Sequence, residues 1–170
     1  NIIKTIEKEL KNSSISKTIR EGFVVSVVGK PNTGKSSFVN FISKRNISIV
    51  TDIPGTTTDS ISSILDLDGY KFTFVDTAGI RKHRNKIEEI GITKTKEIIS
   101  RSDLNLIFIE KNETKNYKNI KNKIFVKSKL DKRKKTTENK KIVNISSFSG
   151  EGISRLLNKT KKYLIKNKKN

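Results

Sequence analysis

Gly29-Lys30-Pro31-Asn32-Thr33-Gly34-Lys35-Ser36 reads G-x-x-x-x-G-K-[ST] without a departure, the pattern of a phosphate-binding loop. Its flanks supply the context the pattern needs. Phe23-Val24-Val25-Ser26-Val27-Val28 before it is a short apolar, β-branched run that reads as a buried strand. Ser37-Phe38-Val39-Asn40-Phe41-Ile42 after it sets apolar side chains at helical spacing. A glycine loop between strand and helix start turns successive N–H groups toward phosphate oxygens, helped by the helix N-terminus. Asn32, Thr33, Gly34, Lys35, Ser36 and Ser37 are its candidate phosphate contacts. Lys35 brings a point charge to the β- and γ-phosphates, and the Ser36 hydroxyl is placed to ligate Mg²⁺.

Outward from the loop, strand and helix signals alternate. Ser60 to Asp66, with Ile61, Ile64 and Leu65 among serines, and Tyr70 to Val75 are strands joined by the hairpin signal Asp68-Gly69. A polar stretch, Asn46 to Asp59, precedes them. A second polar loop follows through about Glu89, then a helix from about Gly91 to Arg101. Leu104 to Ile109, Lys123 to Val126 and Ile142 to Ile145 are buried-strand runs. Glu110 to Asn122 is short for a full crossover helix, so a stunted helix or a disordered loop is expected there. Gly152 to Lys166 closes the chain as an amphipathic helix on Ile153, Leu156, Leu157, Thr160 and Leu164. The expectation is an α/β fold with a mostly parallel six-stranded sheet, one antiparallel strand and helices on both faces. It divides as a helical lead-in over 1–22, one domain over 23–166 and a basic tail over 167–170.

Composition narrows the function classes. The 170 residues contain no cysteine, which excludes a disulfide framework and a cysteine-ligated zinc site. The N-terminal stretch lacks the apolar core of a signal peptide, and no apolar run approaches a membrane span, so a cytoplasmic protein without a membrane partner is expected. The absence of any methionine, even at position 1, is what a piece of a longer chain would show. The net charge is +20. Lysine, asparagine and isoleucine are abundant and arginine is scarce, as an A/T-rich coding sequence would favour. The lysines are scattered along the chain, so the charge reads either as a phosphate footprint or as a solvated, biased surface.

Three further motifs fall at strand ends, where such sheets place ligands. Asp76-Thr77-Ala78-Gly79 is D-x-x-G; its Asp can hold a Mg²⁺-bound water, and the Gly79 N–H can meet a γ-phosphate. Ser128-Lys129-Leu130-Asp131 is similar to N-K-x-D, whose Asp accepts from guanine N1–H and N2–H₂, donors that adenine does not present as a pair. Ser146-Ser147-Phe148 stands where guanine-reading proteins carry S-A-K, with a backbone N–H for guanine O6.

With these residues in place the chain resembles the translation-factor-related GTPases, whose fold is the P-loop NTPase G domain, and within them the MnmE (TrmE) family of tRNA-modification GTPases. Ile19-Arg20-Glu21-Gly22 is similar to that family's L-R-E-G, and Val50-Thr51-Asp52-Ile53-Pro54-Gly55-Thr56-Thr57-Thr58-Asp59 to its V-T-D-I-A-G-T-T-R-D. Asp76 to Gly79, then Ile80-Arg81 and Ile87-Glu88-Glu89-Ile90-Gly91, resemble D-T-A-G-[LI]-R with V-E-x-I-G at the same spacing. The resemblance covers about the whole chain but only that family's G domain, which is inserted in a helical domain behind a folate-binding domain. The ribosome-assembly GTPases of the Der type share G-T-T-R-D and D-T-A-G and fit the spacing through Ile90-Gly91 less well. This chain departs from the pattern at Ser128 (for Asn), Thr58 (for Arg) and Phe148 (for Lys or Leu).

The resemblance implies GTP and GDP as ligands, with Thr51, Asp52, Ile53, Pro54, Gly55, Thr56 and Thr57 forming a switch loop over the nucleotide and Thr57 joining Ser36 on Mg²⁺. Many GTPases place a water-orienting Gln directly after D-x-x-G; here Ile80 stands there, and the family's catalytic glutamate matches Glu88. A K⁺ site would take Asn32 with Thr51, Ile53 and Thr56. The resemblance further implies K⁺-activated hydrolysis in a homodimer of G domains. A full-length protein would work on tRNA with an MnmG-type flavoprotein. A ribosome-assembly or RNA-binding GTPase, and a degenerate domain that binds GTP without hydrolysing it, stay open as alternatives.

Overall fold

The apolar run before the phosphate loop becomes strand β1 (Phe23–Gly29), paired along both edges. The computed structural model describes residues 22–45, 61–77, 88–111, 113–132 and 141–168. Within them the remaining elements are α1 (Lys35–Arg45), β2 (Ile61–Leu67), β3 (Tyr70–Asp76), α2 (Glu88–Arg101), β4 (Leu104–Phe108), β5 (Lys123–Lys127), β6 (Ile142–Asn144) and α3 (Ile153–Lys168). The strands form one six-stranded sheet in the order β2-β3-β1-β4-β5-β6. Every pairing is parallel except β2 with β3, which the Asp68-Gly69 turn joins as a hairpin. Both turn residues have positive φ, 54° and 82°, as the tight hairpin turn requires, and Asp66 Oδ1 accepts the Gly69 N–H at 2.8 Å.

Alternation along the strands divides the core. Phe23, Val25 and Val27 of β1 and Leu104, Leu106 and Phe108 of β4 share one buried cluster with Phe38 of α1 and Ile153, Leu156 and Leu164 of α3. The Phe38 ring lies 5.9 Å from that of Phe74 and 5.5 Å from that of Phe108, in tilted and edge-on arrangements that aromatic quadrupoles favour. Ile107 and Ile109 belong to a second cluster with Ile142, against which Tyr117, Ile120 and Phe125 pack. Helix α2 lies against β1. Among the described residues the stretch between β4 and β5 holds a single 3₁₀ turn, Thr114–Tyr117, the first of the two outcomes expected of its length, a stunted helix or a disordered loop. Helix α2 starts at Glu88, three residues before the sequence signal, and α3 runs on through Lys168 into the stretch expected as a tail. The expected lead-in helices lie outside the described residues. No helix among the described residues is long and apolar enough to cross a membrane.

Central polar residues are mostly satisfied. Ser26 Oγ donates to Asn105 Oδ1 at 2.5 Å, and Asn105 Nδ2 reaches the carbonyls of Lys121 and Asn122 at 3.2 and 3.3 Å. Thr160 of α3 differs: it is fully buried on the apolar face, and its hydroxyl has no hydrogen-bond partner. An unpaired buried hydroxyl keeps its desolvation penalty, while an apolar group of the same shape does not. Thr160→Val should therefore stabilise the fold by about 1 kcal/mol. Urea unfolding followed by far-UV circular dichroism checks this; a lower midpoint for the variant would contradict it.

Candidate nucleotide-binding site

Strand register brings the motifs to one edge. Val27 of β1 lies opposite Asp76 of β3, and Gly29 opposite Phe108 of β4. Gly29 can sit there because it has no side chain: a Cβ would lie 2.3 Å from the Phe108 carbonyl oxygen. Thr77 Oγ1 donates to the Val27 carbonyl at 2.9 Å and fastens the end of β3 to β1. Asp76 and Thr77 are both buried at that edge.

The phosphate loop is closed by its own side chains. Thr33 Oγ1 and Lys35 Nζ both donate to the Lys30 carbonyl, at 2.8 and 2.6 Å. Lys35 is buried, so its ammonium is held within the loop. The Asn32 backbone is left-handed, with φ 63°, a conformation asparagine tolerates better than most residues. Lys30 Nζ reaches out to Glu113 at 2.9 Å, and this carboxylate holds the Lys30 ammonium above its usual pKa.

The loop after β5 is stitched directly onto the phosphate loop. Ser128 Oγ donates to the Thr33 carbonyl at 2.5 Å, and Lys129 Nζ to the Asn32 carbonyl at 2.6 Å. The close approach requires glycine at position 34, since a Cβ there would lie 2.3 Å from Ser128 Oγ. The loop after β6 is tied in turn. Ser146 Oγ donates to Asp131 Oδ1 at 2.5 Å and accepts the N–H groups of Phe148 and Ser149 at 3.2 and 3.1 Å. The hydroxyl holds the Asp131 carboxyl below the usual carboxylate range, so Asp131 is an ionised acceptor at neutral pH. Leu130 N–H donates to the Ile145 carbonyl at 3.0 Å, completing the tie.

Asn32 to Ser37, Asp76, Thr77, Ser128, Lys129, Leu130, Asp131, Ser146, Ser147 and Phe148 are thus gathered on loops and element ends at one edge of the sheet. Ser36 lies in the first turn of α1, and Glu88 is the first residue of α2. Phe148 is 91 % exposed, the most exposed large apolar side chain among the described residues. Thr51, Asp52, Ile53, Pro54, Gly55, Thr56, Thr57, Ala78 and Gly79 lie outside the described residues. Sequence reasoning missed Glu113 and Glu110, which pair with Lys30 and Lys129 at 2.9 and 3.8 Å. They sit in a Lys- and Asn-rich stretch with no periodicity to single them out.

Comparison with known proteins agrees with this geometry. A protein family described as 50S ribosome-binding GTPase matches residues 24–147. The tRNA modification GTPase MnmE of Thermoanaerobacter sp. (strain X514) is 38% identical over 92% of this chain, which covers 38% of that protein. The MnmE of Clostridioides difficile (strain 630) is 36% identical over 96% of this chain, which covers 39% of it. The chain therefore spans about two-fifths of the length of these curated relatives. Among solved structures, the G domain of the T. maritima FeoB iron transporter superposes with a TM-score of 0.64 at 21% identity, covering 83% of this chain and 98% of that one. Aquifex aeolicus Era bound to GDP·AlF4− gives 0.62 at 24% identity, covering 83% of this chain and 56% of that one. These last two likenesses show the shared P-loop G-domain fold. The family match runs from inside β1 past the end of β6 and takes in the phosphate loop, the loops after β3 and β5 and the start of the loop after β6, so this chain belongs to the 50S ribosome-binding GTPase family.

Proposed function

We propose that this GTPase domain is a Mg²⁺-dependent, K⁺-activated hydrolase of GTP inside a larger protein that modifies the wobble uridine of tRNA. The observation that carries the nucleotide reading is the double stitch of Ser128 and Lys129 onto the carbonyls of Thr33 and Asn32. It couples the base-reading loop to the phosphate-binding loop, so one guanine nucleotide can span both. The tRNA reading rests on the identity with the MnmE proteins and on the shared switch pattern.

The roles follow from the residue chemistry. Lys35 and the loop N–H groups bind and orient the phosphates. Asp131, ionised and acceptor-only, takes the paired donors of guanine. Ser36, with Thr57 when the switch closes, would hold Mg²⁺, and Asp76 a water bound to it; the buried Asp76 carboxylate at the end of β3 is a hard oxygen donor suited to that shell. Bound Mg²⁺ neutralises charge on the β- and γ-phosphates. Asn32 is exposed at the loop rim, and its amide oxygen, with Thr51, Ile53 and Thr56, would hold K⁺. A K⁺ held there would supply the positive charge that an arginine supplies in other GTPases. Glu88 orients the attacking water, a task Ile80 cannot perform. Two G domains pair during turnover, and an MnmG-type flavoprotein and tRNA bind the full-length protein. A ribosome-binding role is the second reading, favoured by the description of the matching family; recovery of ribosomes without the flavoprotein from a lysate would select it.

The domain should prefer GTP to ATP through Asp131. Charge-assisted hydrogen bonds contribute about 1.5–3 kcal/mol, so Asp131→Ala should weaken GTP binding roughly ten- to a hundredfold and leave ATP binding little changed. Competition with unlabelled ATP against a fluorescent guanine nucleotide measures the preference, and equal displacement by ATP and GTP would refute it. Turnover should need K⁺ and rise per molecule with protein concentration. Loss of a positioned catalytic group costs about 10²–10⁴-fold in rate, so Glu88→Ala should slow hydrolysis by that order with GDP affinity unchanged. Asn32→Ala should remove the advantage of K⁺ over Na⁺. Phosphate release measured in each salt at several protein concentrations decides it; a rate indifferent to both would rule out this mechanism.

A further inference from the structure

Helix α3 arranges part of the scattered lysine content in a line. Arg155, Lys159, Lys162 and Lys166 follow one another at steps of four, three and four residues. At 3.6 residues per turn they fall within about 60° of arc and run along about 16 Å of the helix. All four are exposed. None forms an ion pair among the described residues, whose pairs involve other side chains. The helix contains no acidic residue, and the nearest in sequence, Glu151, precedes it. Lys161 lies off the line and is taken by Asp68 of the β2–β3 turn. On the opposite face Ile153, Leu156, Thr160 and Leu164 are buried, so the line points directly away from the core. The spacing itself does not help the fold, because like charges at i,i+4 disfavour a helix.

We propose that this line is a docking surface for the phosphate backbone of RNA. The inference rests on the function proposed above for its choice of RNA among polyanions. Charge complementarity is the driving term: each cation set against a phosphate releases a counterion. An anionic membrane suits the surface less well. A helix lying on a bilayer must insert an apolar face, and the apolar face of α3 is spent on the core. Base reading is not built in either. The one aromatic residue of α3, Tyr163, is partly buried and hydrogen-bonded through its hydroxyl to Asn122 Oδ1 at 3.1 Å, so it offers no stacking platform. The surface should therefore bind RNA with little regard to sequence.

The test is binding of fluorescein-labelled unfractionated tRNA by anisotropy from 50 to 200 mM KCl. The variant carries Arg155→Gln, Lys159→Gln, Lys162→Gln and Lys166→Gln, and glutamine keeps helix propensity. A control loses four other exposed lysines, through Lys96→Gln, Lys111→Gln, Lys115→Gln and Lys118→Gln. Four backbone contacts contribute a log–log salt slope of about −3 to −4, so the parent should lose roughly a hundredfold more affinity over this range than the line variant. The control should keep the parent slope, and both variants should hydrolyse GTP at the parent rate. Paired variants, Arg155→Gln with Lys162→Gln and Lys159→Gln with Lys166→Gln, should each remove about half the slope, which settles the matter should the fourfold variant not fold. Equal weakening of the control would make the effect one of net charge and overturn the proposal. So would a parent that hydrolyses GTP but does not bind tRNA, or one that binds only phosphatidylserine vesicles through the line; in either case the GTPase reading stands. A parent that binds tRNA through the line but does not hydrolyse GTP would instead sink the proposed hydrolytic role and leave the line intact.

Discussion

Parallel pairing of β1 on both edges is the constraint from which the site follows. With β3 on one side and β4 on the other, each running the same way, the three strands must deliver their carboxyl ends to a single edge. The phosphate loop, the Asp76 turn and the loop after β4 then emerge side by side whatever their sequences. The register admits little slack. Gly29 meets the Phe108 carbonyl at a distance no side chain survives, and the Ser26–Asn105 hydrogen bond ties β1 to β4 from within. Asn105 also carries the pairing one strand further, through its amide to the chain entering β5. A polar group at the centre of a sheet is tolerated when its donors and acceptors are occupied. Here the occupied group sets the register that an all-apolar strand would leave less defined.

The second level of organisation is a set of short side chains acting between loops. Ser128, Ser146 and Thr77 each use one hydroxyl to join two strand ends. A hydroxyl is small enough to work where chains nearly touch, and the missing side chain of Gly34 creates that proximity. The departure at Ser128 therefore keeps the connection to the phosphate loop that a longer amide would make, with one donor in place of two.

Strand identity was legible because each strand is a brief apolar run between polar segments, and β1 and β4 are mostly buried along their length. The phosphate loop was legible because its chemistry fixes residue types at fixed spacing. The start of α2 was less so, since Glu88 and Glu89 are as compatible with a polar loop as with a helix's first turn. The Glu113–Lys30 pair was invisible, because an ion pair between two irregular segments leaves no pattern in either. The row on α3 was hidden for the opposite reason. Its four members are separated by core residues, neutral residues and the off-line Lys161, so along the chain they look like scatter, and only the helical period collects them. The switch residues, Thr51 to Thr57, rest on resemblance, as they lie outside the described residues.

Asn32 and Lys129 both hold left-handed backbones, with φ of 63° and 60°, and they meet where the lysine ammonium caps the asparagine carbonyl. Neither is glycine, and for a residue with a Cβ this region costs roughly 1 kcal/mol or more. Two such residues in contact make this corner a local reservoir of strain, opposed by the stitching bonds around it. Glycine at either position would relax the backbone and lose a side chain the site uses. Selection for thermal robustness and selection for nucleotide handling therefore pull in opposite directions at these two positions, and in a relative adapted to heat the balance between them would show here first.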